Sequence, residues 1–247
     1  MKDPVQVDRE VVVADLGDLA VYPTDLPRTE DTLRETLSSI VGRGAFPVTL
    51  GGDHYITYPL FQGFAEALKA QGKKAGLIQL ASGLDMGDKH PQWGGRWHGA
   101  TLRRLMESKA LDPANMVWLG VHGFLPYAEW EMVRSSGATA VTVGSLREQG
   151  LEAAAREAIE IAGRGCDAVY ISLDIGVVDS GYAPGRGDVV VGGLVPEELL
   201  ELMGALHDAK IGALDVVEVA PPIDPAGRTS RLAAEAVIEL IASRVFA

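Results

Sequence analysis

Three short segments hold most of the side chains that could do chemistry. Gly51-Gly52-Asp53-His54 follows an apolar run and opens toward a helical pattern. Its glycines permit a tight turn, and the adjacent Asp and His put an imidazole beside a carboxylate. A histidine at a strand end serves equally as a structural hydrogen-bonding residue, so this turn alone decides nothing. Ser172-Leu173-Asp174-Ile175-Gly176-Val177-Val178-Asp179 leaves a continuous apolar run with two carboxylates, and Ala183-Pro184-Gly185-Arg186-Gly187 and Gly192-Gly193-Leu194 follow it. A buried Asp needs a cation or several donors; the alternative is that Asp174 and Asp179 cap the next turn. Asp215-Val216-Val217-Glu218-Val219 sets Glu218 in an apolar strand, where it meets either a cationic substrate or a structural salt bridge.

These segments need a scaffold, and the rest of the chain supplies one. Apolar runs at Val11–Val13, Phe46–Leu50, Gly76–Leu80, Met116–Val121, Thr139–Val143, Ala168–Leu173 and Ala213–Val219 read as strands. Helical patterns fall between them. Thr29 is expected to cap a helix whose face is Leu33, Leu37, Ile40 and Val41; others start at Pro59, run over Ala100–Ser108, about Leu146 to Ala162 and Pro196–His207, and close the chain from Thr229. Strand-then-helix alternation predicts an α/β fold of three layers, α/β/α, around a mostly parallel sheet. With no repeat or linker, residues 1–247 are expected to form one domain. Ligands then bind beyond the carboxyl ends of the strands, where the polar motifs fall.

Composition narrows the class. Of 247 residues, 47% are hydrophobic and 23% charged, as in ordinary globular proteins. No apolar run is long enough for a bilayer, so no membrane partner is expected. Met1–Asp8 has neither a basic nor an apolar stretch, so no secretory signal is expected. Cys166 is the only cysteine, which excludes an intrachain disulfide and suits the cytoplasm. The net charge of −12 repels phosphate backbones, argues against nucleic acid, and would favour a cationic small molecule.

Taken together in order and spacing, these segments resemble the ureohydrolase family of arginases and agmatinases. The resemblance runs from about Val11 to the end. It rests on the Gly-Gly-Asp-His turn, on Ser172-Leu173-Asp174 with its Ala-Pro-Gly and Gly-Gly-Leu loops, on Glu218 before Pro221-Pro222-Ile223-Asp224-Pro225-Ala226-Gly227-Arg228-Thr229, and on His98-Gly99 before a helix. It implies a three-layer α/β/α fold and hydrolysis of guanidino compounds by a hydroxide held between two manganese ions. It also implies that His98 serves near the substrate as a proton shuttle or hydrogen-bonding group, and that Glu218 holds the guanidinium.

Half of the implied ligand set is missing. The family ligates with the histidine of the turn, with Asp, His and Asp of a D-A-H-x-D segment, and with two Asp of an S-x-D-x-D segment. Here His54, Asp85 and Asp174 remain, whereas Ala81, Gly83 and Gly176 stand where the other three donors would be. The family uses the positions of Gly83 and Gly176 for one ion only, and those of Ala81 and Asp174 for both. The resemblance therefore implies either one manganese-like ion on His54, Asp85 and Asp174, or none. Catalytic roles, if retained, fall to His98, Glu218 and Asp174. Trp93 and Trp97 form either an aromatic wall beside the ligand or core packing. The family also has some tens of residues before the Val11 strand against ten here; either the sequence is shortened there or that sheet edge is left bare, and a bare edge favours self-association or pairing with a relative. Three functions stay open: a weakened amidinohydrolase, a non-catalytic partner of an active relative, or metal-independent chemistry in the same pocket.

Overall fold

The structure, a computed structural model, describes residues 11–246; the expectation about a signal at Met1–Asp8 lies outside them. Six parallel strands form one sheet in the order β1-β6-β5-β2-β3-β4: β1 Val48–Leu50, β2 Ala75–Leu80, β3 Met116–Val121, β4 Thr139–Thr142, β5 Ala168–Asp174 and β6 Ile211–Val217. Eight helices accompany it among the described residues: α1 Leu26–Gly42, α2 Thr57–Lys69, α3 Thr101–Ser108, α4 Tyr127–Ser136, α5 Val143–Gln149, α6 Leu151–Ala162, α7 Pro196–Ala205 and α8 Arg228–Phe246.

The strands are apolar on both faces because both faces are covered. Leu77, Trp118, Tyr170 and Ala213 pack with Leu33, Leu60, Phe64 and Leu102 of α1 to α3. Ile78, Leu119, Ile171 and Leu214 pack on the opposite face with Leu146, Ala154, Leu199 and Leu240 of α5 to α8. This is the three-layer α/β/α arrangement expected from the alternation. From β2 the chain runs outward to β3 and β4; from β5 it runs the other way to β6. The direction therefore reverses between β2 and β5, and their carboxyl ends open a crevice at that point.

Several local expectations need correction. Val11–Val13 is not a strand: residues 11–22 have no regular structure, and Val12 is 100% and Val13 82% exposed. A continuous apolar run is stable as a strand when both faces are covered, and nothing among the described residues covers Val12 or Val13. The α1 cap is Asp25, whose carboxylate accepts from the Arg28 N–H, while Thr29 lies buried inside the helix with its hydroxyl donating to the Tyr22 carbonyl. The helix expected from Leu146 to Ala162 is two, α5 and α6, separated by Gly150 at φ 88°. Sequence reading passed over α4 because only Val133 of it is buried, leaving almost no apolar period to detect.

Candidate functional site

The crevice is built on a buried polar chain. Asp215, in the middle of β6, is fully buried. It accepts hydrogen bonds from Ser172 at 2.7 Å, Tyr170 at 2.7 Å and Thr57 at 2.9 Å. Ser172 Oγ in turn lies 3.3 Å from His54 Nε2. The other imidazole nitrogen, Nδ1, lies 3.0 Å from Asp85 Oδ2 and 3.7 Å from Asp174 Oδ2. Asp85 also accepts from the Gln79 amide at 3.1 Å, and Asp174 accepts from the Gly176 N–H at 2.6 Å. Thus His54, Asp85 and Asp174 meet at the carboxyl ends of β1, β2 and β5, and Asp215 underpins them. Asp215 was not singled out from the sequence; its signal was a carboxylate in the interior of an apolar strand.

Burial and charge oppose each other here. Burial alone would lower the His54 pKa, but Asp85, with Asp174 and Asp215 behind it, outweighs burial and raises it to about 10. Asp174 is pushed up to about 6 by burial, against the pull of His54. Asp215 is likewise raised by burial, with His54 and three hydroxyls opposing. The imidazolium is therefore the positive charge between the two carboxylates.

Glu218 is not within the strand, as the sequence suggested. It stands one residue past β6 at φ 66°, a left-handed conformation that costs a non-glycine residue on the order of 1 kcal/mol. Its Oε1 accepts from the His54 backbone N–H at 2.8 Å. Asp53 faces His98 rather than its neighbour: His98 Nδ1 is 3.6 Å from Asp53 Oδ2, and Asp53 also caps the Tyr55 N–H. The nearby Asp53 carboxylate raises the His98 pKa, with burial opposing it. Trp97 is packed, since a Cβ on Gly99 would come within 2.4 Å of its ring. Trp93 is 55% exposed and stacks on His90 at 4.0 Å between centroids, and its ring lies 5.9 Å from that of His98. Asp179 is a turn residue, accepting from the N–H groups of Gly181 and Gly192.

The two-ion group of the resemblance does not fit these residues. Ala81, Gly83 and Gly176 offer no side-chain donor, and the space a side chain at 176 would need is bounded by a buried guanidinium: a Cβ there would lie 2.7 Å from Arg186 Nη2. Among the described residues no group of three or more His, Cys, Asp or Glu is arranged to hold a metal ion. His54 Nδ1 instead meets Asp85 at hydrogen-bond distance, 3.0 Å, with Asp174 farther off at 3.7 Å. His122, which follows β3 nearby, was also missed by sequence reading. Its Nδ1 meets the Gly120 carbonyl at 2.7 Å, its Nε2 is buried without a partner, and burial lowers its pKa.

Known proteins resemble the chain in sequence and in fold. Human mitochondrial guanidino acid hydrolase is 34% identical over 235 residues, which cover 94% of this chain and 64% of that protein. The chain thus spans less than two thirds of that relative. Guanidinobutyrase of Pseudomonas aeruginosa is 33% identical over 230 residues, covering 93% of this chain and 70% of the enzyme. The solved structure of proclavaminate amidino hydrolase from Streptomyces clavuligerus matches with a TM-score of 0.85 at 31% identity, covering 97% of this chain and 78% of that one. Bacillus subtilis arginase matches with a TM-score of 0.84 at 27% identity, covering 95% and 86%. The model of the Arginase family matches residues 2–242, and the chain belongs to that family.

Proposed function

We propose that this protein binds a cationic guanidino or amine compound in the crevice between Glu218 and His98, and that two-manganese hydrolysis is lost or very weak. The carrying observation is an asymmetry. The substrate side is kept: Glu218 is held against the His54 N–H, and His98 is held by Asp53. The metal side has lost its donors at 81, 83 and 176. At most one divalent ion, on His54, Asp85 and Asp174, is compatible with what remains, and it would have to displace the His54 proton.

The chemistry supports a low rate. Resonance makes the guanidinium carbon a poor electrophile, so attack needs a strong nucleophile, which two metal ions supply in this family by lowering the pKa of a shared water. This chain's own residues hold and orient a cation and keep an imidazolium between two carboxylates. Ser172 is unsuited to attack, because its hydroxyl is buried and donates to Asp215. Each tenfold fall in rate corresponds to ~1.4 kcal/mol of barrier, so losing even part of the metal stabilisation lowers turnover by orders of magnitude.

A second reading, a non-catalytic partner of an active relative, is favoured by the exposed apolar side chains of Val12, Val13, Leu16 and Val21. One experiment tests the proposal. The protein is loaded with manganese, desalted and analysed for metal, and urea release is followed with guanidinobutyrate, guanidinopropionate and agmatine. At most one ion and turnover near background are expected. Two ions per chain, or rapid urea release, would show the reading to be wrong.

A further inference from the structure

We propose that the Arg186 guanidinium is a built-in cation standing in for the second metal ion. Arg186 is only 5% exposed, and a guanidinium does not lose its proton in a protein, so a full positive charge is buried here. Its Nη1 donates to the carbonyls of Gly176 at 2.7 Å and Val178 at 3.3 Å, and its Nη2 lies 3.5 Å from Ser82 Oγ. Those partners are telling. Ser82 is flanked by Ala81 and Gly83, and Gly176 is the third position without a donor, so one side chain reaches both segments from which the second-ion ligands are gone.

The fit at Gly176 is mutual. A Cβ there would lie 2.7 Å from Arg186 Nη2 and 2.8 Å from Asp174 Oδ1, so the guanidinium and the Asp174 carboxylate bound the missing side chain on two sides. At Gly83, by contrast, an added Cβ would meet only Asp85 Oδ1 at 3.4 Å, an ordinary contact. Space is therefore available for a donor at 83, whereas at 176 the Arg186 guanidinium and the Asp174 carboxylate would have to move aside. The charge balance follows the same line. Asp85, Asp174 and Asp215 gather three carboxyl groups in the crevice. Arg186 acts on Asp174 and supplies a permanent positive charge there, tethered to the chain rather than drawn from solution.

The inference rests on the proposed loss of the second-ion donors and is independent of the ligand reading. Two measurements test it. First, Arg186→Ala should lower the thermal midpoint by several degrees, and low-millimolar guanidinium chloride should raise it again relative to equal potassium chloride. Urea, of the same shape but uncharged, should not. Rescue by both, or by neither, overturns the role as a cation. Second, manganese is counted in Ala81→Asp/Gly83→His/Gly176→Asp and in the same triple variant with Arg186→Ala added. The triple variant should hold at most one ion per chain and the quadruple variant two, with magnetic coupling between them in the electron paramagnetic resonance spectrum. Equal manganese in the two variants overturns the proposal. If the quadruple variant does not fold, the rescue experiment decides. Two ions in the unmodified protein would defeat the proposed function, a result distinct from either of these.

Discussion

Ser172 and Asp215 are joined by a 2.7 Å hydrogen bond between neighbouring strands of the sheet, and both are fully buried. Asp215 also receives the hydroxyls of Tyr170 and Thr57, so its carboxylate holds three donors that have no access to water. Asp215→Ala should cost about 3 kcal/mol or more, because it strands those donors in the core. Asp215→Asn keeps the shape and should cost less. Urea unfolding measures both; a loss below about 1 kcal/mol for the alanine variant would refute the network's importance.

The His54 imidazolium makes the metal-free protein sensitive to pH. An unfolded histidine titrates near 6.5, whereas Asp85 and its neighbours, against burial, hold the folded one at about 10. The folded state therefore binds more protons between these values. Its stabilisation is complete below about 6.5 and is lost as pH rises toward about 10. Asp174, raised by burial to about 6, acts with the same sign at lower pH: the folded state favours its proton, so stability falls as pH rises from about 4 to about 6. Unfolding free energies measured in the presence of a chelator should decline across both windows, and the upper slope should disappear in His54→Gln. A flat profile from pH 7 to about 10 in the unmodified protein would contradict this.

Glu218 should be the main electrostatic contact for a cationic ligand. Glu218→Gln removes the charge while keeping an acceptor for the His54 N–H. Binding of agmatine, followed by calorimetry, should weaken by about tenfold or more, in line with a charge-assisted hydrogen bond. An unchanged affinity would mean that the ligand binds elsewhere.

Association in solution is expected as well. Leu50 of the edge strand β1 is 74% exposed, and Val12 elsewhere on the surface is 100% exposed. Light scattering at tens of micromolar should give more than the monomer mass. A clean monomer there would count against it.

How much of this was legible in the sequence depends on the range of the interaction. The parallel sheet followed from apolar runs ending in polar turns, and the meeting of His54, Asp85 and Asp174 from the family resemblance. The three positions without donors were visible as Ala81, Gly83 and Gly176. What lay beyond reach were partners far apart in the chain. Asp53 looked like a companion for His54, its neighbour, but it faces His98. Arg186 was read as part of a loop motif, because nothing in a linear reading carries it back to Ser82. Residues 11–22 misled in the other direction: an apolar run reads as a strand, but whether a neighbour pairs with it is a tertiary fact.

The pairing of β1 with β6 has a consequence for biogenesis. Gly51 donates to Val216, and the His54 N–H donates to Glu218, which lies 164 positions later in the chain. A ribosome delivers the amino-terminal strand first and the carboxyl-terminal strand last. The Gly-Gly-Asp-His turn must therefore wait, solvated, until nearly the whole polypeptide has emerged before its carboxylate partner exists. The crevice cannot be completed before β6 has emerged, and a chain interrupted before Ile211 would carry β5, β2, β3 and β4 without Asp215 or Glu218.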